Sequence, residues 1–171
     1  MIWALAEYLT RHAWQYKQHQ WYNNSIQDWN VQEVRILIYG IGHDVLEIKR
    51  VARIVTGSQG SKFIDRILTP AERNIAQTKG AKLHEFVAGR FAAKEAISKG
   101  FGSGIGATIS FGDIEIVPNP SGKPTVALSA QAWERLGLSD QAEQYAIHLS
   151  ISHQTELASA FAVIEKITLT H

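Results

Sequence analysis

Hydrophobic positions change their period several times along this chain, and each change predicts an element. Over the first sixteen residues Ile2, Leu5, Ala6, Leu9, Ala13 and Tyr16 recur at helical spacing, which predicts an amphipathic helix with one face to cover. That face could lie on the main domain, on a neighbouring subunit or on nothing. Past Gln15 the chain turns to Gln, Asn and His with little periodicity, and no element is predicted there. Residues 34–41, VRILIYGI, form a β-branched run of the kind that makes a buried strand. The run ends in Gly40-Ile41-Gly42-His43-Asp44, and Val45, Ile48, Val51, Ala52 and Val55 then mark a helix. Gly57-Ser58-Gln59-Gly60 breaks it, and Phe63, Ile64, Ile67 and Leu68 resume an apolar stripe. Thr69-Pro70-Ala71-Glu72 is a capping signature with proline at the first helical position, so another helix opens there. Gly80 separates it from a long helix predicted over residues 81–100. Residues 113–117 and 124–128 read as two strands joined by a Pro-Asn-Pro-Ser-Gly-Lys turn, followed by a short helix over 130–136. In residues 145–153, YAIHLSISH, strict alternation sends Tyr145, Ile147, Leu149, Ile151 and His153 one way and His148, Ser150 and Ser152 the other. Residues 157–164 make a last strand, and Gln154-Thr155-Glu156 is short enough to close a hairpin.

Composition narrows the class. A chain of 171 residues suits one domain with a real core, and 45 % apolar with 19 % charged residues is ordinary for a globular protein. The absence of cysteine excludes disulfides and thiolate metal sites, so a metal would be held by oxygen or imidazole, and a reducing cytoplasm is the simplest compartment. A net charge of +1 gives no global case for nucleic acid or membrane, and no apolar run approaches the length of a membrane span. The opening MIWALAEYLT lacks a basic leader and is interrupted by Glu7, unlike a signal peptide. Residues 1–34 hold four of the five tryptophans and none of the 13 glycines or four prolines, which sets them apart as an aromatic-rich extension from a main domain over 35–171.

Candidate chemistry concentrates in GRFAAKEAISKG, residues 89–100. Ala92, Ala93 and Ala96 are strong helix formers without bulk, and they space out Arg90, Lys94, Glu95 and Lys99. Glu95 and Lys99 are four apart on one face, and Arg90 and Lys94 are spaced alike. One carboxylate among three cations serves either a solvated face or a site for a divalent ion and a polyphosphate. Asp44, at the end of a strand, either caps the next helix or ligates a metal. The GxG before it is no dinucleotide fingerprint, because Val45 stands where the third glycine belongs. His43-Asp44 lacks the further histidines that a phosphohydrolase dyad needs. Residues 47–66 carry five basic side chains (Lys49, Arg50, Arg53, Lys62, Arg66) against Glu47 and Asp65, a patch suited to phosphates, an acidic protein surface or plain solubility. Gly100, Gly102, Gly104 and Gly106 make either a backbone anion receptor or a flexible connector.

Four motifs in order then carry a resemblance: Ile38-Tyr39-Gly40-Ile41-Gly42-His43-Asp44 with Glu47-Ile48-Lys49-Arg50, Ile67-Leu68-Thr69-Pro70-Ala71-Glu72, Gly89-Arg90-Phe91-Ala92-Ala93-Lys94-Glu95-Ala96 with Lys99, and Leu149-Ser150-Ile151-Ser152-His153. Together they span about residues 36–167, and the chain resembles the holo-acyl-carrier-protein synthases, the small bacterial branch of the 4′-phosphopantetheinyl transferases. The resemblance implies an α+β fold, a small antiparallel sheet packed with a long helix, in a homotrimer with active sites between subunits. It implies transfer of phosphopantetheine from coenzyme A to a serine of apo acyl-carrier protein, in fatty acid biosynthesis, with release of adenosine 3′,5′-bisphosphate. Asp44 and Glu95 would hold Mg²⁺, and Glu95 and Lys99 would carry the catalysis. Arg90, Lys94, Lys99 and His153 would line the coenzyme A phosphates, and Arg50, Lys62 and Arg66 would meet the carrier's acidic helix. His43 departs from the apolar or small residue usual at its position, so it either touches the metal shell or packs. Two other readings compete: a different Mg²⁺ enzyme acting on a nucleotide pyrophosphate without a protein partner, and a non-catalytic module that docks acidic proteins.

Overall fold

The computed structural model describes residues 33–170, so the helix predicted over the first sixteen residues and the four tryptophans of residues 1–34 lie outside the described residues. Five strands and five α-helices follow in the order β1 (Glu33–Glu47), α1 (Ile48–Thr56), α2 (Gly60–Ile67), α3 (Pro70–Gln77), α4 (Leu83–Gly100), β2 (Ile114–Pro118), β3 (Pro124–Leu128), α5 (Ala130–Arg135), β4 (Tyr145–His153) and β5 (Leu157–Thr170). The α+β class expected from the resemblance is what the chain adopts. One sheet has the order β1-β5-β4, and β2 and β3 form a separate antiparallel ribbon.

The β4–β5 hairpin runs from Tyr145 opposite Lys166 to His153 opposite Ala158. Its alternation is as predicted: Leu149 is buried, His148, Ser150 and Ser152 are exposed, and His153 stands exposed at the rim. On β5 the inward positions are Ala158, Ala160, Ala162 and Ile164, each 1 % exposed or less. Small residues there meet Ala92, Ala93, Ala96 and Ile97 of α4, also fully buried, so helix and sheet approach closely. Each isoleucine so buried contributes about 2 kcal/mol. Helix α4 is buried on nearly every side, and a second core of Ile48, Val51, Ile67, Leu68, Ala76, Val87 and Ala88 joins it to α1, α2 and α3. The capping signature at Thr69 is realised in full: Thr69 Oγ1 accepts from Glu72 N at 3.3 Å and Glu72 Oε2 accepts from Thr69 N at 2.8 Å.

Two expectations about β1 are corrected. The strand does not stop at Ile41 with a helix resuming at Val45; it continues through Asp44 to Glu47, and α1 begins at Ile48. Asp44 therefore caps nothing, and Glu47 takes the N-cap position with no side-chain hydrogen bond. The reason lies in the two glycines, which act as points of contact. A Cβ added at Gly40 would stand 2.0 Å from the Gly100 carbonyl oxygen, and one at Gly42 would stand 1.8 Å from that of Ala96. Extended backbone can lie directly on α4 only because no side chain intervenes. The second correction is burial: Ile36, Leu37, Ile38 and Ile41 are 54–64 % exposed. β1 is an edge strand against β5, with Arg35 beside Thr168, His43 beside Ser159 and the Ile48 N–H on the Glu156 carbonyl. An apolar run shows that a surface needs cover, and nothing in the described part of this chain covers this one.

Candidate active site

Helix α4 presents Glu95 and Lys99 on one face, and β1 carries Asp44 to them. Lys99 Nζ donates to Asp44 Oδ1 at 2.8 Å and lies 3.3 Å from the His43 carbonyl oxygen. Burial pushes the Glu95 carboxyl above its usual range, the Asp44 charge adds to that shift, and Lys99 opposes it. The hydrogen bond to Asp44 raises the Lys99 ammonium against partial desolvation, so Lys99 is firmly cationic. The two carboxylates, about fifty residues apart in sequence, are thus within electrostatic reach of each other and of Lys99. Among the described residues there is no group of three or more metal-ligating side chains. His43 is directed elsewhere: Nε2 is 3.0 Å from Ser159 Oγ, and the ring packs 6.2 Å from that of Phe161.

Lys94 is a correction. Expected on the coenzyme A phosphates, it is fully buried, and Nζ donates to Glu72 Oε2 at 2.6 Å, the Ile67 carbonyl at 2.7 Å and the Phe111 carbonyl at 2.9 Å. An ammonium has three donors, and all are taken inside the protein. One residue along a helix is a rotation of about 100°, which turns Lys94 away from the Glu95 face and toward α3. Burial lowers its pKa, and Glu72 counteracts the effect. Glu72 is the residue that sequence reasoning missed. Its capping pattern was visible, but its carboxylate also takes the Ile116 N–H at 3.2 Å and faces Arg90 Nε at 3.5 Å.

Arg90 and His153 share the wall of a cleft of about 340 Å³ that also includes Phe86, Gly89, Gly122 and Ser150. Asp44, Glu95 and Lys99 do not line it. Glu95 instead borders a second cavity of about 300 Å³ with Arg66, Phe63, Phe91, Ile105 and Phe111. Arg50 and Lys62 are exposed on α1 and α2. The glycine loop after α4 does not form an anion receptor. The N–H groups of Gly102, Ser103 and Gly104 donate to the Lys99 and Ser98 carbonyls, and that of Gly106 to Ile109, so they close the helix C-terminus. Gly102 and Gly104 take φ of +75° and +63° to do so.

A helix-borne and a strand-borne carboxylate thus share the charge of one lysine where β1 meets α4. The model of the 4′-phosphopantetheinyl transferase superfamily matches residues 40–162, and the chain belongs to that family. It is 45 % identical over 133 residues to a holo-[acyl-carrier-protein] synthase of Bacillus cereus, covering 77 % of this chain and 99 % of the relative. Among solved structures, a holo-(acyl-carrier-protein) synthase from Bacillus anthracis in complex with CoA (3′,5′-ADP) is 45 % identical with a TM-score of 0.62, covering 75 % of this chain and 97 % of the other. The synthase from Neisseria meningitidis is 36 % identical with a TM-score of 0.67, covering 76 % and 100 %. The resemblance carried by the four motifs is borne out, and the chain is a phosphopantetheinyl-transferring enzyme.

Proposed function

We propose that this enzyme transfers the 4′-phosphopantetheine group from coenzyme A to a serine of apo acyl-carrier protein, releasing adenosine 3′,5′-bisphosphate. The observation that carries the site is the convergence of Asp44, Glu95 and Lys99 where β1 rests on α4. Two hard carboxylate donors fit Mg²⁺, which takes one or two carboxylates and completes its shell with water and substrate phosphate. Asp44 and Glu95 would hold it, and the bound ion supplies charge neutralisation and orientation for a pyrophosphate.

The chain's own residues do the rest. The serine hydroxyl gives up its proton to water as its oxygen forms a bond to the phosphorus that carries the pantetheine arm, and the bond from that phosphorus to the bisphosphate leaving group breaks. Lys99, held charged by Asp44 and 46 % exposed, can turn an N–H toward the oxygen on which charge grows. Arg90 and His153 hold the nucleotide's phosphates on the cleft wall. The nucleophile arrives on the partner protein, whose acidic helix meets Arg50, Lys62 and Arg66; the position of Arg66 beside Glu95 supports an approach from that side. A homotrimer accounts for two further features. A second copy would cover the apolar edge of β1, and it could bring a neighbour's Arg90–His153 cleft to the Asp44–Glu95 pair. Residues 35–171 are the transferase domain and 1–34 an extension to it, in the cytoplasm.

Incubation of apo carrier with coenzyme A and Mg²⁺ should add one phosphopantetheine mass to the carrier. In the same assay Glu95→Gln should bind carrier but lose most turnover, Arg66→Glu should raise the carrier KM with a steep salt dependence, and a chain lacking 1–34 should remain active. An unmodified carrier would exclude the proposed reaction. Native mass measurement of a stable monomer would exclude the shared site.

A further inference from the structure

Arg90 is built unlike a residue that serves the fold alone. A guanidinium offers five N–H donors, yet among the described residues this one, 11 % exposed, donates no hydrogen bond to the protein. Its Nε is buried with no hydrogen-bond partner, and Glu72 Oε1 stands 3.5 Å away, a charge contact only. The buried Nε faces Glu72, whereas the terminal N–H groups are not buried and take no partner in the protein, so they are the donors that an anion in the cleft lined by Arg90 would engage. The fork still has to be held in one plane. That is done by Phe86, one helical turn earlier on α4, whose ring centroid lies 4.5 Å from Arg90 Cζ. Stacking on a ring face orients a guanidinium while leaving its in-plane donors free, which a hydrogen bond or a close ion pair would consume.

We propose that Phe86 is a positioning residue for Arg90, its ring holding the guanidinium plane so that the free donors face a phosphate in the cleft. The inference rests on the reading that this cleft takes the phosphates of a nucleotide. It predicts that Phe86 matters to binding only while Arg90 is present.

A double-mutant cycle on the full chain tests this, with adenosine 3′,5′-bisphosphate as the calorimetric probe and coenzyme A and carrier kinetics alongside. Arg90→Gln should weaken the probe about ten-fold or more, as expected for lost charge-assisted hydrogen bonds. Phe86→Leu should weaken it about five-fold and raise the coenzyme A KM with kcat and the carrier KM unchanged. Phe86→Tyr should restore binding, and Arg90→Gln with Phe86→Leu should bind no worse than Arg90→Gln alone. Phe86→Met, apolar and of similar bulk but without a π face, replaces the leucine variant in the cycle if the latter does not fold. Additive losses would overturn the proposal, since Phe86 would then act on the ligand or the cleft directly. Wild-type affinity in Phe86→Leu would overturn it too. Wild-type affinity in Arg90→Gln would instead refute the phosphate reading of the cleft beneath it.

Discussion

Gly42→Ala tests the contact on which the site depends. A Cβ at that position would lie 1.8 Å from the Ala96 carbonyl oxygen, 1.6 Å short of the 3.4 Å at which ordinary contact begins. The obstacle is helix backbone inside α4, whose flanking residues Ala96 and Ile97 are fully buried, so β1 must retreat rather than the helix give way. Overpacking of this kind costs about 1–3 kcal/mol, which a domain survives when its other contacts are intact. Asp44 is two residues further along the same strand, on the same face as Gly42. A retreat of even 1 Å would break the 2.8 Å bond from Lys99 and separate Asp44 from Glu95. Misplacement on that scale at a reacting centre lowers turnover by about 10²-fold. The expected outcome is a chain that still unfolds cooperatively in urea, somewhat less stable, with kcat in the carrier mass-shift assay down by about two orders of magnitude. Gly106→Ala is the control, because a Cβ there would meet nothing within 4 Å, and it should match the unsubstituted chain. A folded Gly42→Ala enzyme with full turnover would refute the claim that the glycine contact sets the position of Asp44.

Lys94→Met should destabilise the domain by about 3–5 kcal/mol in urea unfolding, because Glu72 would be left buried without its ammonium partner; unchanged stability with a raised coenzyme A KM would return Lys94 to the phosphates. The pH dependence has a worked sign at Asp113. Burial pushes this carboxyl up, but hydrogen bonds from Ser110 and Ser129 and the contact with Arg135 prevail and hold it at about 2, against an ordinary 3.8. A depressed pKa contributes stability above the unfolded value and loses it as pH falls through the folded one, so about 2 kcal/mol should disappear between pH 3.8 and about 2. Urea unfolding across that range should show a flatter profile in Asp113→Asn, and an identical profile in both proteins would contradict the assignment. At Glu95 the sign is opposite: its raised carboxyl favours the protonated folded state, so Glu95→Gln should gain stability relative to the unsubstituted chain as pH rises through the carboxyl range, and no gain on thermal unfolding would contradict the shift.

Much of the molecule is legible in the sequence. Period-2 alternation placed β4 with the correct inward face, the Thr69-to-Glu72 pattern placed the start of α3, and the alanine spacing placed α4 with Glu95 and Lys99 on one side. These are local properties, set by rotamer freedom, capping and the repeat of the backbone, so neighbours in sequence suffice to read them. The continuation of β1 past Gly42 was not legible, because a glycine pair between apolar residues looks the same whether the chain turns there or presses on a helix. Nor was the fate of Lys94, since its charge says only that it needs partners and the partners are 17 to 27 residues away.

Sequence by itself determined the family, the order of the elements from residue 34 onward and the set of charged groups from which a site could be made. Only the tertiary structure decided which of those groups meet: it brought Asp44 onto Lys99, sent Lys94 into the core to hold Glu72, and put Arg90 with His153 on a wall that neither carboxylate reaches. The physical reason is that charge and periodicity are carried by single residues, whereas a pKa, a bond or a cavity belongs to atoms that only folding makes neighbours.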